Sequence, residues 1–301
     1  MSLQAKLLNT AIKTASFLNR RASFNSHHID KYRRSFEKFT RYYKTPANIQ
    51  RQDFSIGQLS AAWFTPLSLN NKAVILYLHG GGYMMGSINT HQALMSNIAS
   101  LSGYRVLGIH YRLAPEHPFP AALDDALKAY QFLRATGYLP SQIILAGDSA
   151  GGGLALSVLL ALKERGQPLP AAAICFCPWT DLSLQGKSLI FNAKKGPFFY
   201  KDAIPKTAQL YLAGTSAVNP LASPIYGDLS QLPPLFIQAS DSEMLLSDSV
   251  DFAQKARAAG VEVSLDLWKD MMHAWQLLQG WLPESRQALE KMLMFINNLK
   301  F

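Results

Sequence analysis

Acidic residues are scarce in this chain: 20 Asp and Glu stand against 29 Lys and Arg, for a net charge of +9 over 301 residues. The shortage is sharpest at the start, where Lys6, Lys13, Arg20 and Arg21 all precede the first acid, Asp30. A basic balance of this size raises nucleic acid as a partner. The cations do not form one stripe, however. They sit at the N-terminus, across Arg33–Lys44, at Lys194–Lys195 and scattered beyond, with no recognised nucleic-acid motif, so no nucleic-acid partner is expected. Long apolar runs are also missing: none reaches the ~18 residues a membrane-crossing helix needs, and no stable membrane insertion is expected. Cysteine is nearly absent. Cys175 and Cys177 lie in the apolar run Ala171-Ala-Ala-Ile-Cys-Phe-Cys-Pro178, at a spacing that suits neither a zinc site nor a redox pair. Two residues apart on a strand, they would share a face and read as small core residues, with a reducing, cytoplasmic location as the default. Internal repeats and low-complexity segments are absent too.

What is there suits a large buried core, since 49% of residues are hydrophobic and only 16% charged. At the start, Leu3, Leu7, Leu8, Ile12, Ala15 and Leu18 recur at roughly helical spacing among the lysines. This predicts a basic amphipathic helix. It lacks the continuous apolar segment of a secretory signal; a transit peptide would look similar, but a helix packing its apolar face on its own protein is the expectation. From about residue 73 the pattern alternates between strands and helices. Candidate strands are Val74–Leu78, Arg105–Ile109, Gln142–Ala146, Ala171–Phe176, Leu235–Ala239 and Val261–Leu267. Candidate helices are Ala121–Thr136, Gly152–Arg165, Ser247–Ala259 and Glu284–Asn298. Continuous apolar strands belong to a sheet covered on both faces, and strand–helix alternation predicts an α/β fold with a mostly parallel central sheet. Residues 184–222 interrupt this rhythm with Phe191, Phe198, Phe199, Tyr200 and Tyr211, an insertion of the kind that covers a binding site at one end of a sheet.

Gly147-Asp-Ser-Ala-Gly151 follows a candidate strand and opens a candidate helix. A G-x-S-x-G turn in that context presents a nucleophile, here Ser149, on a strained strand-to-helix turn. The helix N-terminus then directs free N–H groups at developing negative charge. His79-Gly-Gly-Gly82 follows the strand Val74–Leu78. Glycines in a row suit no regular element, but they suit a loop whose amides face an oxyanion. The donors read from the two motifs are Gly81, Gly82 and Ala150. The stretch is not a nucleotide loop, because it lacks both G-x-G-x-x-G and a Gly-Lys-Ser/Thr ending. No metal or cofactor is expected.

With these motifs, residues 70 to 300 resemble the hormone-sensitive-lipase-like family of α/β-hydrolase esterases. His79–Tyr83 is similar to the family's HGGG-aromatic loop, Tyr111-Arg-Leu-Ala-Pro-Glu116 to its YRLAPE segment, and Gly147–Gly152 to its GDSAGG elbow. Phe119-Pro-Ala-Ala-Leu-Asp124, Ser223-Pro, Leu232-Pro-Pro and Met272-His-Ala-Trp275 match further landmarks. The resemblance implies an N-terminal helical cap over the site, assigned to residues 1–50, on a catalytic domain of residues 51–301 carrying a cap insertion at about 184–222. His79 is expected to hydrogen-bond within its loop, Arg112 to pair with Glu116, and Asp148 to steady the oxyanion loop.

His273 is the expected base. It alone among the seven histidines follows the last candidate strand and precedes the final helix, in the chain order Ser, acid, His. His27, His28, His91, His110 and His117 read as surface or loop residues. For the acid, Ser240-Asp-Ser-Glu-Met-Leu-Leu-Ser-Asp248 offers three carboxylates. Aligning the family's Asp-Pro-Leu-x-Asp-Glu/Asp motif on Leu245 and Asp248 places Glu243 at the catalytic position, with Asp241 as the alternative and Asp248 as an orienting or helix-start acid. The reading is a serine carboxylesterase acting on short- to medium-chain esters through Ser149, His273 and Glu243. Amide or peptide hydrolysis by the same site, and a non-catalytic receptor on the same fold, are the rivals; filled triad positions weigh against the receptor. The partner is a small-molecule ester, and a homodimer is admissible.

Overall fold

The computed structural model describes residues 1–18, 24–70, 72–193 and 202–301; for Ile12, Lys13 and residues 15–18 the description stops at the backbone. Arg20, Arg21, Lys194, Lys195, Phe198, Phe199 and Tyr200 lie outside the described residues, as do the side chains of Ile12, Lys13, Ala15 and Leu18.

Eight strands form one sheet in the order β1-β2-β4-β3-β5-β6-β7-β8. They are β1 (Ile49–Ile56), β2 (Leu59–Pro66), β3 (Val74–Leu78), β4 (Arg105–Ile109), β5 (Ile143–Asp148), β6 (Ala172–Phe176), β7 (Leu235–Ser240) and β8 (Val263–Trp268). From β4 to β8 all neighbours run parallel, while β1 and β2 form an antiparallel pair joined to β4. Strands β3, β5, β6 and β7 are buried at every position, as their unbroken apolar runs require. Six of the eight strands were legible in the pattern. Strands β1 and β2 were not, because β1 is a half-exposed edge whose Gln50, Arg51, Gln52 and Asp53 hide the periodicity.

The described helices are α1 (Leu3–Leu18), α2 (Ile29–Thr40), α3 (Gln92–Ser102), α4 (Ala121–Ala135), α5 (Ala150–Glu164), α6 (Ser188–Phe191), α7 (Ala203–Leu212), α8 (Leu246–Ala258) and α9 (Pro283–Asn297). Helices α4 and α5 contribute to one apolar cluster, joined by α8, and α3 and α9 to the cluster on the opposite face of the sheet. Helix α5 is buried from Ala150 to Leu162, so it is apolar all round rather than amphipathic. Its N-terminus meets the carboxyl end of β5 at the centre of the sheet, which is where open parallel sheets place their ligands.

The expected N-terminal helix forms, but not with the expected face. Ala5 is buried and Leu8 packs beside Met271, Trp275 and Leu278, whereas Leu3 and Leu7 are 70% and 63% exposed. Polar contacts set this orientation: the Ser2 hydroxyl donates to Glu284 at 2.9 Å and the Asn9 amide to the Asp270 carbonyl at 2.6 Å. Helix α2 is fastened by Arg33, which donates to the carbonyls of Met84 (2.8 Å) and Ala114 (3.0 Å) and, through both terminal nitrogens, to Glu116. Lys206 of α7 donates to the Phe24 carbonyl at 2.8 Å, so the N-terminal segment and the insertion touch. The expected Arg112–Glu116 pair does not exist. Glu116 is taken by Arg33, and Arg112 forks onto Asp125 of α4 at 2.9 Å. A side chain thirteen residues on was closer in space than one four residues on, because the segment between them turns back onto α4.

Candidate active site

Ser149 stands between β5 and α5 with φ 54° and ψ −122°, a conformation costing of order 1 kcal/mol that the surroundings must hold. Its amide donates to the Phe176 carbonyl at 2.8 Å, and its carbonyl accepts from Trp179 at 3.0 Å, tying the turn to the end of β6. The turn admits no side chain two residues on. A Cβ at Gly151 would lie 2.1 Å from the Leu78 carbonyl oxygen and 2.5 Å from that of His79. Glycine is therefore a steric requirement here, and it lets the elbow seat directly against the loop that follows β3.

That loop is the His79–Gly82 segment. Gly81 has φ +119°, and a Cβ there would strike the Met85 carbonyl at 2.4 Å. The Gly81 carbonyl accepts from the amides of Met84 and Met85, which closes the loop on itself. Ala150 is the first residue of α5, so its N–H belongs to the first turn, which has no partner within the helix. Asp148 steadies the loop as expected: Oδ1 accepts from the Gly80 amide at 3.0 Å and from the Tyr77 hydroxyl at 2.7 Å. Burial pushes the Asp148 carboxyl upward, but His91 and the Tyr77 hydroxyl outweigh it and hold the group below its usual value. His79 lies within hydrogen-bonding distance of the Gly80 carbonyl (Nδ1, 2.9 Å) and stacks on Tyr111 with ring centres 4.1 Å apart. Burial first, then nearby His91, lowers its pKa to about 3.

His91 is a loop residue, in the turn before α3, but not a surface one. It is fully buried, with Nε2 3.3 Å from Asp148 Oδ2 and Nδ1 2.8 Å from the Thr90 hydroxyl. Nothing in its local sequence, Asn89-Thr-His-Gln92, marks that role; only the fold carries it beneath the glycine loop. His27, His28 and His117 are exposed, as read.

The acid loop after β7 separates the carboxylates. Glu243 is 1% exposed; Oε2 lies 2.5 Å from His273 Nδ1 and Oε1 accepts from the Ser240 amide at 2.7 Å. Asp241 is exposed and accepts from the Asp270 amide at 2.7 Å. Asp248 sits in the first turn of α8 and accepts from the amides of Thr180 and Asp181, both at 2.8 Å. Burial, with the nearby carboxylates of Asp181 and Glu243 and against those two amides, pushes its pKa up to about 8. His273 is 6% exposed on the loop between β8 and α9. The three sequence-chosen residues thus follow the carboxyl ends of the parallel strands β5, β7 and β8. A buried imidazole–carboxylate pair at the same end of the sheet as a strained serine suits proton transfer during acyl transfer.

Both cysteines are reduced and buried, but they do not share a face. Cys175 lies in the cluster under α5, whereas Cys177 has left the strand with φ 49° and packs with Met271 and Trp275.

Fold, elbow and glycine loop together define an α/β hydrolase. Residues 75–277 match the family described as "alpha/beta hydrolase fold". The chain is 43% identical over 236 residues to an acetyl-hydrolase of Streptomyces hygroscopicus, covering 78% of this chain and 79% of that one. It is 38% identical over 227 residues to an esterase of Acinetobacter venetianus, covering 75% of each. A crystal structure of an esterase from the bacterial hormone-sensitive lipase family superposes with a TM-score of 0.91 at 41% identity, over 98% of both chains. The protein belongs to this hormone-sensitive-lipase family of α/β hydrolases, and it is a carboxylic ester hydrolase. No helix among the described residues is long and apolar enough to cross a membrane.

Proposed function

We propose that the protein hydrolyses short- to medium-chain carboxylic esters through a triad of Ser149, His273 and Glu243. The observation that carries this reading is the 2.5 Å contact between His273 Nδ1 and Glu243 Oε2, both buried. In this reading the carboxylate keeps the proton on Nδ1, so Nε2 takes the proton of Ser149 as its oxygen attacks the ester carbonyl. The amides of Gly81, Gly82 and Ala150 donate to the oxyanion. Collapse of the tetrahedral intermediate expels the alcohol, which receives the proton from His273 and leaves an acyl-Ser149. Water, deprotonated by His273, then attacks the acyl carbonyl, and the acid departs as Ser149 regains its proton.

Residues 1–50 and the insertion at about 184–222 form the cap in this reading. Supporting it, Arg33 fastens α2 to Met84 at the end of the glycine loop. A Cβ at Gly82 would lie 2.9 Å from the Thr207 methyl, so α7 rests on the same loop. An enclosed pocket favours short acyl chains, because each added CH₂ gains about 0.8 kcal/mol only until the walls are reached.

Turnover of chromogenic esters from acetate to palmitate tests the substrate range, with a fluorophosphonate as active-site label. Ser149→Ala should fold, escape labelling and lose about 10⁶-fold in kcat. Near wild-type turnover by that variant, free of host esterase, would remove Ser149 from the reaction. Faster hydrolysis of emulsified long-chain triglycerides than of butyrate or hexanoate esters would overturn the size reading.

A further inference from the structure

The glycine loop turns through three successive residues at positive φ: Gly81 at +119°, Gly82 at +63° and Tyr83 at 59°. The first two are glycines, for which that region is open. Tyr83 is not, and a bulky residue there persists only where its surroundings hold it.

Those surroundings are specific. The Tyr83 carbonyl accepts from the Ala114 amide at 2.9 Å. Its side chain is buried, and its hydroxyl reaches the first turn of α5, where a Cβ at Gly153 would lie 3.1 Å from it. The Tyr83 ring stacks on that of Tyr211 of α7, with centres 3.7 Å apart and planes 6° from parallel. Tyr211 is buried as well. Its carbonyl accepts from the Phe119 amide at 2.8 Å, and the Phe119 ring meets it edge-on at 5.9 Å. Thr207, four residues before Tyr211, shares its face of the helix. The Thr207 methyl fills the space that a Cβ at Gly82 would need, 2.9 Å away. One face of α7 therefore lies along two consecutive residues of the loop, Gly82 and Tyr83. Trp179, the remaining ring beside Tyr83 among the described residues, is tilted at 6.2 Å and does not stack.

We propose that Tyr211 is a positioning residue for the oxyanion loop, its ring clamping Tyr83 in the strained conformation that aims the preceding Gly82 amide at the oxyanion. This rests on the reading of Gly81, Gly82 and Ala150 as the oxyanion donors. Tyr211 acts through Tyr83, so the cap insertion takes part in stabilising the transition state. A slightly displaced donor still lets the ester bind, but it no longer meets the oxygen as charge builds there. Loss of the stack therefore lowers kcat and spares KM.

The experiment compares Tyr211→Leu and Tyr211→Phe in the full chain, per active site titrated with a fluorophosphonate, with an alkyl trifluoromethyl ketone as probe. Ser149 adds to the ketone carbonyl carbon, the serine proton passes to His273, and the carbonyl oxygen becomes the oxyanion of a hemiketal. The Ki of the ketone thus reports the same donors. Tyr211→Leu should lower kcat about three- to tenfold, the range for loss of an aromatic pair, and raise Ki by a similar factor. KM should stay within about twofold. The loss should be equal for acetate and hexanoate esters, since the oxyanion is common to both. Tyr211→Phe keeps the stacked ring and should return most of kcat and Ki. If Tyr211→Leu does not fold, Tyr211→Met, which fills the space without a ring, is read against Tyr211→Phe in the same way. Wild-type kcat and Ki in Tyr211→Leu overturn the proposal, as does an equally impaired Tyr211→Phe. A loss that grows with acyl length also overturns it, since Tyr211 would then be a wall of the pocket. A wild type that binds the ketone no tighter than Ser149→Ala does would overturn the oxyanion site itself, and the proposal with it. Tight wild-type binding beside an unaffected Tyr211→Leu removes only the role of the stack.

Discussion

Replacing Glu243 by glutamine tests the choice between two carboxylates two residues apart. In the structure both Glu243 oxygens face donors: Oε1 the Ser240 amide at 2.7 Å and Oε2 His273 Nδ1 at 2.5 Å. Glutamine supplies one acceptor and one NH₂. If the NH₂ faces Ser240, two donors meet in a site 1% exposed, which costs about 1–3 kcal/mol and forces the loop to move. If the NH₂ faces His273, the imidazole must carry its proton on Nε2 and can no longer accept from Ser149. Either outcome strips the base of its orientation or its tautomer. The expected fall in kcat is up to about 10⁴-fold, or roughly 5 kcal/mol of barrier. Asp241→Asn should behave differently, because Asp241 is exposed and its bond to the Asp270 amide needs only the acceptor that asparagine keeps. A loss under about threefold is expected there, in line with a surface hydrogen bond that survives the change. Both variants would be assayed with a chromogenic butyrate ester, per titrated active site, well below either melting temperature. A dead Asp241→Asn beside an active Glu243→Gln would refute the reasoning and make Asp241 the acid.

Three further outcomes are expected. The His79 pKa is about 3 in the folded chain against about 6.5 unfolded, so its contribution is complete above about pH 6.5 and is lost as pH falls toward 3; between pH 6.5 and 4.5 this is worth about 2–3 kcal/mol. Urea unfolding at the two pH values should show that loss in the wild type and less of it in His79→Gln, and equal losses would contradict the assignment. Gly151→Ala should yield no active enzyme, because its Cβ would overlap the Leu78 and His79 carbonyls; a soluble variant with wild-type fluorophosphonate labelling would show that the elbow relaxes more cheaply than close-packed backbone should. Deleting residues 1–30 removes α1 and its contacts to Glu284 and Asp270, uncovering Trp275 and Met271. It should promote aggregation and alter ester preference more than it lowers sheet stability, and a soluble truncation with an unchanged specificity profile would argue for a detachable segment.

Much of this protein is written locally. The runs Val74–Leu78, Ile143–Ala146 and Leu235–Ala239 have no polar face to show to water, so they had to be interior strands of a covered sheet. The glycines around Ser149 and after His79 are likewise local statements, because each marks backbone that approaches other backbone too closely for a Cβ. Chain order, read against the family pattern, singles out His273 among seven histidines, and the fold buries that residue against Glu243. What sequence left open were contacts between segments far apart in the chain. Whether Asp241 or Glu243 points inward depends on how the loop after β7 turns, and only the folded loop buries one and exposes the other. Arg112 abandoned Glu116 for Asp125, and Glu116 went to Arg33 of a helix some eighty residues earlier. His91 and Cys177 have ordinary local surroundings, yet the packing of α3 under the glycine loop and the end of β6 beside His273 gives them buried polar partners. Helix α1 makes the same point in reverse: its apolar spacing predicted a helix, but contacts with Glu284 and Asp270 turned Leu3 and Leu7 outward. Periodicity and steric need are properties of neighbouring residues and survive in the sequence. The partner of a polar side chain is decided by which distant segment the fold brings within about 3 Å.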